Sequence, residues 1–366
     1  MARFELLFGA EQFWNRLEGD LQQAHAQVVV QAMTFEGDVA GLKLAAALRS
    51  CQAQERRVLV DAYTTYFVSD RFVYGPSAWF DHKLKDEVRS TSQMFTNMRE
   101  AGVQVRTTNP MGLLMTKWPA RNHKKLVIVD NRVAYLGGIN FSDHNFAWLD
   151  FMVRIKDTEI CQRLCEDFDA TWNSRPQSFV HRSPGATLYA TNGTDNKQTF
   201  SQFMNHIATA QRSIVIISPY LTFPFTELLR RIHKRGVHVT LMTPEPNNNR
   251  VVRAYLLWAA SRAGFEIRLY NTMIHMKAML IDDAELVLGS SNFDFVSYNS
   301  QEEFMIAIDD PALVADFKAR VLVDATQSTH LLKSKPSAWS GWMAFIALKL
   351  AAGLCWLNRF TQRKAS

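Results

Sequence analysis

The chain has 366 residues, 47% hydrophobic and 21% charged, which excludes a disordered or fibrous protein and predicts one large bilobed unit or two domains. Lys and Arg total 41 against 35 Asp and Glu, and the resulting charge of +6 favours an anionic partner, either nucleic acid or an acidic bilayer. Four cysteines (Cys51, Cys161, Cys165, Cys355) lack zinc or haem spacing and point to a reducing compartment, and MARFELLFGAEQFW has no signal-peptide pattern.

In chain order, residues 28–35 (VVVQAMTF) are apolar, β-branched and short, which predicts a buried strand. A helix is expected over 42–51, a strand over 57–63, and, after an aromatic-rich insert at 64–93, strands at 103–107, 123–130 and 133–136. The second half replays this order: strand 213–221, helix 225–235, strand 237–243, helix 250–263, strand 265–270 and strand 275–282. Alternating strands and helices predict an α/β fold with covered sheets. Pro176, Pro184, Gly185 and Gly193 mark residues 173–197 as a linker. The domains expected are therefore 1–172 and 198–330, followed by a C-terminal segment, 336–366.

Two stretches carry the chemistry. HKKLVIVDNRVAYLGGIN begins at His123, and HMKAMLIDDAELVLGSSN begins at His275. Each has Lys two residues after His, Asp five further on, then Gly after seven and Asn after three. For HxKxxxxD alone, composition predicts roughly 0.03 chance matches in such a chain. On a strand, residues i and i+2 share a face, so His123 with Lys125 and His275 with Lys277 should point together. The following apolar residues anchor each strand in a core. Gly137 and Gly289 permit close backbone approach, and Asn140 and Asn292 offer amide donors suited to a phosphate. Asp130 and Asp282 lie near the far strand ends, where catalysis and a structural turn or salt-bridge role are equally expected.

These motifs resemble those of the phospholipase D superfamily, and more closely its bacterial cardiolipin synthase branch. The resemblance runs from about Gly9 to Asp324 and includes Trp148–x–Asp150 and Ser218–Pro219–Tyr220. It implies two similar α/β halves, with sheets flanked by helices and packed with pseudo-two-fold symmetry, whose motifs meet in one site with no metal and no cofactor. It also implies that one His attacks the substrate phosphorus while the other, protonated, serves the leaving alcohol and then the acceptor. The catalytic set so implied is His123, Lys125, Asp130, His275, Lys277 and Asp282. Acids orienting the histidines fall at Asp150 and Glu303, crossing between halves: Glu303 behind a nucleophilic His123, and Asp150 behind His275. The branch pattern is broken at Gln31, where Glu is usual, and at Val296–Ser297, where Arg-Ser is usual, which bears on headgroup and acceptor preference.

Outside the motifs, residues 111–119 (MGLLMTKWP) read as an exposed apolar lip including Trp118, rather than a strand, because Pro110, Gly112 and Pro119 interrupt them. Residues 338–357 are apolar except for Lys349 and small polar residues, and are followed by Arg359, Arg363 and Lys364. Trp339, Met343, Ile346, Leu350, Leu354 and Leu357 fall on one helical stripe. Such a helix can span a bilayer, lie in the interface with Trp339 and Trp342 at headgroup depth and Lys349 snorkelling, or cap the core. The partners expected are phospholipid substrates and an anionic membrane surface rather than nucleic acid. The place expected is the cytoplasmic side of a bacterial inner membrane.

Overall fold

The computed structural model describes residues 3–112 and 115–363; the side chains from residue 356 onward lie outside that description. So do Leu113 and Leu114 of the expected lip, Leu357 of the expected stripe, and the basic side chains of the tail. The chain divides into two compact units, Met1–Gln177 and Ser178–Ser366.

In the first unit the strands are β1 (Arg3–Phe8), β2 (Gln27–Ala32), β3 (Glu55–Asp61), β4 (Phe67–Val68), β5 (Arg71–Phe72), β6 (Gln104–Thr108), β7 (Leu126–Val129), β8 (Val133–Gly137) and β9 (Phe151–Lys156). Seven of them form one mixed sheet in the order β1-β9-β8-β7-β2-β3-β6. β2, β3 and β6 run parallel, whereas β7 returns antiparallel on β2. Because β2 and β7 are covered on both faces, they read as near-continuous apolar runs, not alternating ones. The helix Val39–Ser50 starts where the Asp38 carboxylate accepts from the Gly41 N–H, and it buries Leu44, Ala45 and Leu48 in the core. The aromatic insert forms the β4–β5 hairpin and the start of the helix His82–Glu100.

The second unit comprises β10 (Phe179–Ser183), β11 (Ala186–Ala190), β12 (Ser213–Ile217), β13 (His238–Pro244), β14 (Glu266–Tyr270), β15 (Ala278–Ile281), β16 (Glu285–Gly289), β17 (Phe304–Ile308) and β18 (Thr329–Leu331). Its sheet runs β10-β11-β17-β16-β15-β12-β13-β14-β18, and the inner seven strands repeat the first sheet strand for strand. The expected linker at 173–197 is thus corrected. Pro184 and Gly185, with Gly185 at φ 77°, turn a hairpin, and β11 is the counterpart of β1.

The helix Ala338–Arg363 packs on its own unit. Ala344, Leu348 and Cys355 join Phe223, Val252, Tyr255 and Phe295 in a small core, and Gly341 sits so close to Trp258 that a Cβ would lie 2.1 Å from its Cγ. The Lys349 ammonium rests 3.7 Å over the Phe223 ring, so cation–π attraction replaces the snorkelling expected for it. The opposite face stays open: Trp339, Trp342, Met343, Leu350 and Leu354 are exposed.

A buried ion pair ties the first motif to the helix Thr158–Trp172. Lys124 Nζ donates to Asp167 Oδ2 at 2.6 Å, and both side chains are fully enclosed. Burial pushes the Asp167 carboxyl up, against the pull of Lys124. Lys124→Met should therefore cost about 3–5 kcal/mol by stranding that carboxylate, and Lys124→Met with Asp167→Leu should recover most of the loss. Urea unfolding midpoints of the two variants measure both effects.

Candidate active site

Each motif strand enters its sheet at the edge where the parallel strands end, the usual ligand edge of α/β sheets. In the first unit Gln31 pairs with Leu126 at the end of β2, so His123 lies just beyond the paired residues at that edge. Asp150 directly precedes β9, whose Met152 pairs with Gly137 at the same end of β8. In the second unit Ile217 pairs with Ala278, so His275 lies at the corresponding edge, and Glu303 directly precedes β17. The Tyr220 and His275 rings meet edge to face, with centroids 6.4 Å apart.

The strands begin later than expected, at Leu126 and Ala278, so each His and Lys stands in an irregular lead-in. Both lead-ins close the same way. Lys125 Nζ donates to the His123 carbonyl at 2.7 Å, and Lys277 Nζ donates to the His275 carbonyl. All four side chains are buried. Asp61, at the end of β3, braces the first lead-in by accepting from Arg121 Nη1 at 2.8 Å and from the Asn122 N–H at 2.5 Å. Burial pushes the Asp61 carboxyl up to about 6, with Arg121 and the backbone donors opposing it. Gln31 donates to Asn122 Oδ1 at 2.9 Å, so the residue that departs from the branch pattern is part of this brace.

Asp150 and Glu303 occupy matched register positions, two residues before Met152 and Met305, which pair with Gly137 and Gly289. A Cβ on Gly137 would lie 2.3 Å from the Phe151 carbonyl oxygen, and one on Gly289 2.2 Å from that of Phe304. The motif glycine therefore lets the acid-bearing strand close on its neighbour, as its spacing predicts. The acids are held differently. Glu303 accepts from Ser290 Oγ at 2.5 Å and Ser297 Oγ at 2.8 Å. At the position of Ser290 the first unit has Gly138, where a Cβ would strike both Asp150 carboxylate oxygens at 2.5 Å.

A family described as "Cardiolipin synthase, PLD-like domain" matches residues 17–172 and 203–323. The chain belongs to the phospholipase D superfamily. Among curated relatives, the major cardiolipin synthase of Bacillus subtilis is 27% identical over 355 residues, covering 86% of this chain and 68% of the relative. Cardiolipin synthase B of Escherichia coli K12 is 25% identical over 402 residues, covering 99% of this chain and 92% of the relative. The crystal structure of a phosphatidylserine synthase from Haemophilus influenzae superposes with a TM-score of 0.69 at 13% identity, covering 96% and 94% of the two chains, and shares the fold. The chain is an enzyme of this superfamily.

Within this phospholipase D fold the motif aspartates sit away from the histidines. Asp130 and Asp282 follow the far ends of β7 and β15, about 20 Å along the chain from His123 and His275. Each begins a tight hairpin turn with two residues at positive φ: Asp130 (51°) and Asn131 (53°), Asp282 (53°) and Asp283 (58°). The Asp130 carboxylate accepts from the N–H groups of His25, Ala26 and Gln27, the last two at 2.8 and 3.0 Å. Asp282 accepts from Gln211, Arg212 and Ser213 at 2.8, 2.7 and 3.0 Å. Of the two roles expected, this geometry is the structural one.

The two asparagines also differ. Asn140 Oδ1 accepts from the Thr34 N–H at 3.3 Å, which makes it a loop brace, whereas Asn292 Oδ1 is buried without a partner. Trp118 is partly exposed and packs on Tyr63 and Phe67, with centroids 5.6 and 4.8 Å away; the described part of 111–119 forms turns, not a strand. Sequence reasoning missed Asp61, Arg121, Ser290 and Lys124–Asp167. Arg121, Asn122 and Lys124 adjoin His123, so polar residues bracketing an apolar strand were the available signal.

Burial raises the Asp282 carboxyl, but the Ser213, Gln211 and Arg212 N–H groups outweigh it and hold the carboxyl below its usual 3.8. Its stabilisation is therefore complete above that value and is lost as pH falls through the lower, folded-state value. Asp282→Asn should flatten the acid limb of the stability–pH curve below pH 4, as thermal unfolding in a pH series would show.

Proposed function

We propose that this phospholipase D-family enzyme is a cardiolipin synthase-like phosphatidyltransferase that moves a phosphatidyl group through a covalent phosphohistidine to an alcohol acceptor, phosphatidylglycerol. The carrying observation is the duplicated motif, which in each unit sets a buried His–Lys pair just ahead of the motif strand and a buried acid just ahead of β9 or β17. In this reading His123 Nε2 attacks the donor phosphorus, and the P–N bond forms as the P–O bond to glycerol breaks. His275, protonated, gives its proton to the departing alkoxide. It then takes the proton of the acceptor hydroxyl, whose oxygen attacks phosphorus and releases His123. The two imidazoles thus need opposite protonation states at the start. Asp150 and Glu303 would orient the histidines, while Lys125, Lys277, Asn140 and Asn292 would offer positive charge and amide donors to the phosphate oxygens. The seryl hydroxyls on Glu303, one of them from a position that is Gly138 in the first unit, support unequal roles for the two histidines.

Purified full-length protein should convert phosphatidylglycerol alone into cardiolipin and glycerol, as followed by mass spectrometry. Phosphatidate as sole product would replace transfer with hydrolysis, and cleavage of DNA without lipid turnover would replace it with a nuclease. His123→Ala and His275→Ala should each lower turnover by at least about 10⁴-fold, within the range set by a lost nucleophile or general acid. Phosphatidyl label trapped on His275 instead would exchange the two roles.

The reading places the enzyme on an anionic membrane surface on the cytoplasmic side. Trp339, Trp342, Met343, Leu350 and Leu354 support the membrane contact as an outward apolar stripe opposite a packed face, the arrangement of a helix lying in the interface. Phe80, Trp79 and Tyr74 expose further aromatic surface in the insert of the first unit. Trp339→Ser with Trp342→Ser should weaken binding to phosphatidylglycerol vesicles by at least about tenfold, given the apolar area removed. Turnover of detergent-dispersed lipid should be kept, and equal loss of both would assign the helix to the core alone.

A further inference from the structure

The loop after β2 carries an acidic cluster that no step above uses. Single carboxylate oxygens of Glu36, Asp38 and Glu87 lie within 4.8 Å of one another. The loop is built to bring them there. Gly37 lies against the helix His82–Glu100 so tightly that a Cβ would be 2.2 Å from the Thr91 nitrogen. Its N–H donates to Thr91 Oγ1 at 2.7 Å, and its carbonyl accepts from Ser90 Oγ. The residues on either side of it, Glu36 and Asp38, are thereby held beside Glu87, one turn earlier on that helix.

Three carboxyl groups at this spacing do not all ionise unless positive charge is supplied to them. Among the described residues no Lys or Arg forms an ion pair with any of the three. Glu36 is 1% exposed, and its Oε1 is buried without a hydrogen-bond partner among the described residues. Its other oxygen, Oε2, accepts from the Ser69 N–H at 3.1 Å. His144 Nδ1 stands 3.8 Å from Glu36 Oε2, beyond hydrogen-bond reach. Burial, and then Asp38, Glu87 and Asp70, push the Glu36 carboxyl up to about 9, against the Ser69 N–H.

We propose that Glu36, Asp38 and Glu87 bind a hard divalent cation, calcium foremost, which pins the loop after β2 to the helix His82–Glu100. All-oxygen carboxylate ligation selects calcium, magnesium or manganese over softer metals. Such an ion would also steady the motif loop. The Glu36 N–H donates to the Phe141 carbonyl, the Phe141 N–H donates to the Thr34 carbonyl, and the Thr34 N–H holds Asn140. The cation is a brace remote from the reacting phosphate, and its existence does not depend on which lipid the enzyme uses.

The test uses the full chain in uncharged detergent, stripped with chelator and desalted, then titrated with calcium chloride by calorimetry and thermal unfolding. One saturable site per chain is expected, half-filled between about 1 µM and 1 mM, with Tm rising as it fills. Glu36→Gln and Glu87→Gln should each weaken binding at least tenfold and abolish the calcium-dependent rise in Tm. Both variants should unfold cooperatively in ion-free buffer. Should Glu36→Gln fail to fold, the more exposed Glu87→Gln decides alone. Absence of saturable binding of calcium, magnesium or manganese up to about 10 mM overturns the proposal, as does unchanged affinity in Glu87→Gln.

Discussion

Three backbone N–H groups ahead of each central strand converge on one carboxylate, and the position of every site residue follows from that clamp. Asp130 collects the N–H groups before β2 and Asp282 those before β12. Each also returns its own N–H to the first strand residue: Asp130 to the Gln27 carbonyl and Asp282 to the Ser213 carbonyl, both at 2.8 Å. The motif strand is thus tied to the central strand in one register. A slip of one residue would turn every side chain of a buried strand to the opposite face. The far-end aspartate thus fixes the register of the strand that follows the histidine.

A second constraint stands behind the acids. Gly137 and Gly289 allow the next strand to approach closely enough for Asp150 and Glu303 to reach the site edge. Beyond that shared frame the halves diverge. The first motif is braced by Asp61, Arg121, Asn122 and Gln31, whereas the second lends Ser290 and Ser297 to its acid.

The C-terminal helix joins two physical demands that are usually separate. One face packs on Phe223, Val252 and Tyr255, with Gly341 admitting the Trp258 indole. The other keeps its tryptophans and leucines outward. A helix used in this way fixes the orientation of its own unit on any apolar surface it meets, since its roll is already set by the protein side.

The sequence by itself determined the α/β class, the internal repeat and the identity of the key residue types. These are properties of period and spacing: buried strands read as short apolar runs, and the two motifs share one register. Gly137 and Gly289 were legible for the same reason, because only close backbone approach explains glycine there. What spacing does not encode is which partner a polar side chain meets across the sheet. The role of the motif aspartates, the Glu303 hydroxyl pair, the Lys124–Asp167 ion pair and the Gly37 approach that gathers Glu36, Asp38 and Glu87 all join residues distant in the chain. The linker was misread because Pro184 and Gly185 mark a hairpin as readily as a linker, and only pairing of β11 with β17 separates the two. Lys349 was misplaced because its aromatic partner, Phe223, comes from another part of the unit.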